Sequence, residues 1–496
     1  MRERLKSPPA EEIVRYLIGP RLFGDAEALF PLMDRVNRAH LVMLAERGIL
    51  KPAVVAAIAG GLAGLAARGI GGMKLDPHKE DLYFNVEAAL SAELGPEIGG
   101  QLHTGRSRND LYATLQRMKA RDAALDITTR ALNLVQRLLD VAEREIATVM
   151  TGYTHMQPGQ PITVGHYLSG VAQSLQRDAR RLLEAWPGIN VSPLGAGGLA
   201  TTGFAIDRAR TAELLGFDGV LVNSLDAVGS RDYIADLLYA FSTTGVTVSR
   251  LAHDIHVWYT FEFGFIDIDD SIAGTSSIMP QKKNPSPIEH LKAKAAHPIG
   301  ALMAALAAQK TTPFTHGREV GNESVAGFGE ARAQAEATLA LADVVLRGLR
   351  FRAEAMLDDA RRNYCTLTEL ADTLVRDRGL SFRAAHEVVG ALARAAHERG
   401  LAGSHAIAAS LVNEIAQSVT GKALDLTEAE LAPALDPRFN VAQRRVAGGP
   451  APESVASAIA AQRSLLAGQR ATLEKRRSAL AAADRALDAA CARLAS

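Results

Sequence analysis

Cysteine is almost missing from this chain: 496 residues carry only Cys365 and Cys491. The pair lies far apart and without metal-type spacing, which excludes a disulfide framework and fits a reducing cytoplasm. An excess of charge is missing too. Lys plus Arg and Asp plus Glu both total 55, so nothing in the balance points to nucleic acid or an anionic membrane surface. Long hydrophobic runs are absent: the longest uncharged one, 52–67, contains Gly60, Gly61 and Gly64 and falls short of the ~20 residues that span a bilayer. The first residues, MRERLKSPPAEEIVRYLIGP, lack the apolar core of a signal peptide. No Cys/His cluster, phosphate-binding glycine motif or nucleophile triad is evident, so neither metal nor organic cofactor is expected. Aromatics make up only 5%, and the abundant alanine suits close helix packing.

What is present is helical periodicity. Over 110–150, Leu115, Met118, Leu125, Ile127, Leu132, Leu134, Leu138 and Leu139 recur among charges with no Gly or Pro between them, which predicts one long helix. Similar stretches cover 165–185, 231–261, 287–309 and 330–349. Helices of this length form elongated bundles, and strand-like runs are few and short. Gly/Pro-rich breaks and composition changes divide the chain into an N-terminal helical domain (1–105), a central helical bundle (106–355) and a C-terminal helical domain (356–496).

Three polar strings interrupt this pattern. The first, GTSSIMPQKKNP at 274–285, packs Ser276, Ser277, Lys282, Lys283 and Asn284 into a segment that Gly274, Pro280 and Pro285 keep from regular structure. Its hydroxyls, ammonium groups and amide suit an anionic substrate. The second, QLHTGRSRND at 101–110, sets Arg106, Ser107, Arg108 and Asn109 at a loop-to-helix junction, where free backbone N–H groups favour a carboxylate. Taken alone, this string reads more readily as a capping loop with surface arginines than as a binding site. The third, TGYTHMQPGQP at 151–161, places Thr154 and His155 between a helix end and two prolines.

Together the strings resemble the three signature regions of the argininosuccinate lyase family, within the fumarase/aspartase superfamily. Further resemblance lies in DRVNRAH at 34–40, EDLYFNVE at 80–87, PLGAG at 193–197, NSLDAV at 223–228 and SFRAAHE at 381–387. The resemblance implies an all-α fold, a three-domain subunit with a long central helix bundle and a signature loop at 272–287. It also implies a homotetramer with a twenty-helix core, each active site being shared by three subunits. The implied reaction is carbon–nitrogen elimination releasing fumarate from an N-substituted aspartate. Ser276 would be the general base, with Lys282 and Asn284 on the carboxylate that becomes electron-rich. Ser107, Arg108, Asn109, Thr154 and Ser277 would hold the succinyl carboxylates. His155 would pair with Glu289, either donating the proton to the leaving nitrogen or organising the site.

Departures from the family pattern gather at the leaving-group end. Where the family reads A-Y-N-R-D-x-Q-E-D-K, this chain has THGREVGNES at 315–324, with His316, Gly321 and Ser324 in place of Tyr, Gln and Lys. Asn37 stands where a substrate-facing Ser is usual, Tyr83 where His is, and Thr275 where a Gly precedes the serines. The early W-G-G-R-F element is missing. These changes lead to the expectation of an amine other than arginine, such as the aminocarboxylate released by the ethylenediamine-disuccinate lyase of this family, with His316 and Arg318 receiving its carboxylated arm. An authentic argininosuccinate lyase of arginine biosynthesis is the alternative. A catalytically silent structural relative is the alternative of another class.

Overall fold

The protein's structure, a computed structural model, describes residues 4–495. Helices make up 71% of it, and three two-stranded sheets are the strands among the described residues, so the all-α expectation holds. The principal helices are α1 (Gly19–Glu46), α2 (Arg108–Arg144), α3 (Val164–Glu184), α4 (Asp232–Tyr259), α5 (Ser286–Lys294), α6 (Ala296–Gln309), α7 (Phe328–Gly348) and α8 (Pro452–Ala495).

α2 starts where Ser107 caps it, in a capping box completed by Asp110. It ends at Arg144, short of the expected 150. Residues from Val149 on are strand formers, and β1 (Val149–Thr154) pairs antiparallel with β2 (Gln157–Thr163). The expected helix 287–309 is two helices. Pro298, in the first turn of α6, has no N–H to bond the α5 carbonyls, so the ladder breaks at Ala295.

α3 buries Leu168, Ala172, Leu175, Ala179 and Leu182 along one face, each large side chain contributing about 1.5–3 kcal/mol. That face lies on α2. Gly165 permits the close start: a Cβ there would sit 2.5 Å from the Ala142 carbonyl oxygen. α4 and α7 complete this core. A second core joins α1, the first turns of α2 and helix Pro52–Arg68, and a third spans 367–435. α8 supplies Val455, Ile459, Leu466 and Leu473 to the first core and Leu487 and Ala490 to the second, so it packs apart from the third.

Chain direction decides where the polar strings fall. α3 runs back along α2, since Arg117 near the start of α2 reaches the Gly188 carbonyl beyond the end of α3. α4 starts beside Arg117, whose guanidinium lies 4.1 Å over the Tyr233 ring, and runs towards the hairpin, where Phe263 meets Tyr153. With 37 residues, α2 is about 55 Å long. The 101–110 string therefore sits at one end of the bundle, and both the 151–161 hairpin and the 274–284 loop sit at the other.

Candidate active site

The 274–284 loop is closed at its neck. Gly274 and Asn284 exchange two backbone hydrogen bonds of 2.8 Å, and Asn284 Nδ2 donates to the Thr275 carbonyl at 3.1 Å. A Cβ at Gly274 would lie 2.6 Å from Ser286 Oγ, so a larger residue there would have to turn that hydroxyl aside. Inside the loop, the Ser276 hydroxyl oxygen accepts backbone N–H groups from Met279 at 3.1 Å and Ile278 at 3.4 Å. Two fixed dipoles thus point at the oxygen that would carry negative charge if Ser276 ionised.

The adjacent lysines, alike in sequence, differ in structure. Lys283 donates to the Ile268 carbonyl, pairs with Asp270 at 2.8 Å and lies 3.6 Å from Asp267. The Tyr259 hydroxyl donates to the Lys283 carbonyl at 3.1 Å. Lys283 is thus an anchor. Among the described residues the exposed Lys282 side chain has no hydrogen bond or ion pair, and Ser277 and Glu289 are also exposed.

Thr154 and His155 project from the hairpin tip. His155 and Met156 form a two-residue turn with φ of 55° and 59°, the left-handed region that side chains resist. That strain sits at the exposed tip of the hairpin. No contact joins His155 to Glu289 or Ser276 within one chain among the described residues.

At the far end, the Ser107 hydroxyl oxygen caps α2 as an acceptor and its O–H is left to donate, and Asn109 Nδ2 donates to the Gly198 carbonyl at 3.1 Å. One Arg108 amino group contacts Asp81 at 2.7 Å and Glu80 at 3.2 Å, and the guanidinium stacks 4.0 Å over Phe84. These contacts orient the fork and leave the rest of it for a ligand. Beneath the loop, Asp110 accepts N–H bonds from Ser107, Gly195 and Gly197, clamping the 101–110 and 193–197 strings together. Burial pushes its carboxyl up to about 6, against those bonds. The sequence does carry the local half of this role, the Ser-x-x-Asp cap; its long-range half has no local signature.

Asn37 and Tyr83 lie in the core under this loop, 1% and 2% exposed, away from solvent. His103 packs on Tyr83 at 4.8 Å, and burial with Arg106 nearby lowers its pKa to about 4. His316 also turns inward, against the Val228 backbone, and its Nδ1 is buried without a partner. Its ring fills the space over Gly321, where a Cβ would come within 3.0 Å. Ser324 is buried and bonds back to the Val320 carbonyl. Two of the departures, His316 and Gly321, are therefore a packing pair, while Arg318 alone of the two proposed arm-binding residues is exposed.

Comparison with known proteins identifies the family. Residues 34–300 match a lyase family, and 364–443 match the argininosuccinate lyase C-terminal family. The chain is 42% identical over 453 residues to argininosuccinate lyase 1 of Shouchella clausii (strain KSM-K16), covering 91% of each. It is 37% identical to the argininosuccinate lyase of Methanosarcina acetivorans, covering 94% of this chain and 92% of that one. A crystal structure of EDDS lyase in complex with formate superposes with a TM-score of 0.88 at 34% identity, covering 99% of this chain and 97% of that one. No helix among the described residues is long and apolar enough to cross a membrane. On sequence, fold and the loops that carry its polar groups, the chain belongs to the argininosuccinate lyase family of the fumarase/aspartase superfamily and is a carbon–nitrogen lyase.

Proposed function

We propose that the protein reversibly eliminates an amine other than arginine from an N-substituted aspartate, releasing fumarate, with Ser276 as the base. The observation that carries the base assignment is the pair of backbone N–H groups aimed at Ser276 Oγ, and what supports a different amine is the altered 315–324 segment with its exposed Arg318. A free hydroxyl is too weak an acid to serve as a base near neutral pH, and such donors stabilise its alkoxide. Ser276 takes the proton from the carbon beside a carboxylate, and the resulting dianion is held by Lys282 and Asn284. The electron pair then forms the carbon–carbon double bond as the C–N bond breaks, and the amine leaves with a proton. Ser107, Arg108, Asn109, Thr154 and Ser277 hold the two carboxylates, and His155 is oriented by Glu289.

One chain cannot assemble this set, because α2 holds Arg108 and His155 about 50 Å apart. The site therefore needs other copies, and a homotetramer with sites shared by three subunits is the assembly we propose. Its support is an exposed apolar stripe on α6, Ile299, Met303 and Leu306, and Tyr239 and Val246 on α4, surfaces that monomers rarely leave open. A cytoplasmic setting fits the free thiols Cys365 and Cys491. Fumarate absorbance against a panel of N-substituted aspartates tests the reading. A rate on argininosuccinate equal to the best aminocarboxylate sinks the proposed amine specificity.

A second reading, authentic argininosuccinate lyase, is favoured by the names of the sequence relatives. Growth of an arginine auxotroph lacking that enzyme, rescued at the normal rate, selects it.

A further inference from the structure

A cavity of about 900 Å³ opens at the same end of the bundle as Ser107, Arg108 and Asn109. One wall is the N-terminal segment, including a π-helical turn, Val14–Ile18, that leads into α1. The facing wall begins at the short helix Arg318–Gly321 and continues into α7. Glu80 and Asp81, which hold Arg108, also line it, so the cavity borders the proposed carboxylate-binding loop directly.

The charges in the lining are unequally satisfied. Asp25 faces Lys119 at 3.4 Å, and Asp81 is committed to Arg108. Arg21 and Arg318 are close enough to influence one another, and neither makes a hydrogen bond or ion pair among the described residues. Arg21 is an exposed residue whose guanidinium is partly desolvated; that and Arg318 hold it below its usual range, against Asp25 and Asp81. Neither guanidinium is ion-paired among the described residues, although Asp25 and Asp81 act on Arg21 and Glu323 shares the lining; their planar forks keep N–H groups that can grip a carboxylate with two parallel bonds. Beside them the N-terminal segment offers Ile13, Tyr16 and Leu17, each 44% or more exposed, so the occupant has a carbon chain as well as a charge.

We propose that Arg21, acting with Arg318, receives a distal carboxylate on the leaving amine and so determines which amine the enzyme releases. The inference rests on the amine-releasing reading above and adds a residue from outside the three signature regions. His316, turned inward, supports this wall by packing and does not reach the occupant.

The test runs the enzyme in reverse, adding amines to fumarate. Two amines of equal chain length are compared, one ending in a carboxylate and one in a carboxamide, with wild type, Arg21→Met and Arg21→Lys. The ratio of kcat/KM for the carboxylate over the carboxamide amine is expected to fall at least tenfold in Arg21→Met and to recover partly in Arg21→Lys. An unchanged ratio, or an equal loss on both amines, overturns the proposal. Calorimetric binding of the carboxylate amine alone, without fumarate, reads the cavity independently of turnover. Tenfold weaker binding to Arg21→Met supports the receptor, and equal binding overturns it. If wild type adds no amine to fumarate yet binds the carboxylate amine through Arg21, the catalytic reading fails while the receptor stands.

Discussion

Replacing Asp110 by Asn removes a charge while keeping shape, and it separates two opposing effects at the loop that holds Arg108. Three donated N–H bonds stabilise the carboxylate; complete burial disfavours it. Burial prevails, lifting the pKa from 3.8 to about 6. A raised folded-state pKa means that the folded protein holds the proton more tightly. The stability so contributed is present below 3.8 and is lost as pH rises through about 6. Between pH 7 and pH 4 the change amounts to about 2 kcal/mol in favour of the wild type, because Asn does not titrate. His103, whose depressed pKa works in the opposite sense as pH falls from 6.5 towards about 4, is common to both proteins and cancels in their difference. The assay is urea unfolding of both proteins at several pH values and one protein concentration, since assembly adds stability by mass action. A difference that stays flat, or shifts towards the variant on acidification, refutes the reasoning. It would mean that the N–H bonds outweigh burial.

Lys283→Met cuts the anchor of the 274–284 loop and leaves Lys282. Its ion pairs are partly exposed and its carbonyl bond is single, so about 1–2 kcal/mol is lost, and a fall of about tenfold in kcat/KM with little change in Tm is expected; loss of global stability instead would show that Lys283 supports the fold. Gly321→Leu intrudes on His316, and overpacking by about 1–3 kcal/mol is expected to lower Tm; an unaltered Tm would contradict the packing pair. Met156→Gly relieves a positive φ at an exposed turn residue and is expected to raise hairpin stability by about 1 kcal/mol, visible as slower amide exchange in β1 and β2; faster exchange would show that Met156 packs in the assembled protein.

The long helices were legible because α2, α3 and α4 keep helical spacing without a proline. Their ends were less so. Ile146, Val149 and Met150 continue an apolar pattern that fits helix or strand, and only pairing with β2 decides it. Ala295 is a good helix former at a break imposed by Pro298 three residues later. The candidate site was legible as three strings, since polar groups gather there in Gly/Pro-bounded segments that interrupt the helical pattern. What each residue does within a string was not. Lys282 and Lys283 are the same letter, and what separates them is Asp270 and Ile268, brought near by folding. Arg21 lay in an unremarkable helical stretch because Arg318, which gives it meaning, is most of the chain away. His316 and Gly321 read as a rebuilt pocket because the sequence does not tell which way a ring turns.

The central claim is that a serine held by two backbone N–H groups starts an elimination that yields fumarate. Its most direct measurement is fumarate release by wild type and Ser276→Ala on the best N-substituted aspartate, with assembly checked by light scattering. The account predicts fumarate and amine in equal amounts from wild type, and a rate lower by at least about 10²-fold in an intact Ser276→Ala assembly. A rate within a few-fold of wild type would contradict Ser276 as the base, and an intact wild-type assembly producing no fumarate from any substrate would point to a structural relative.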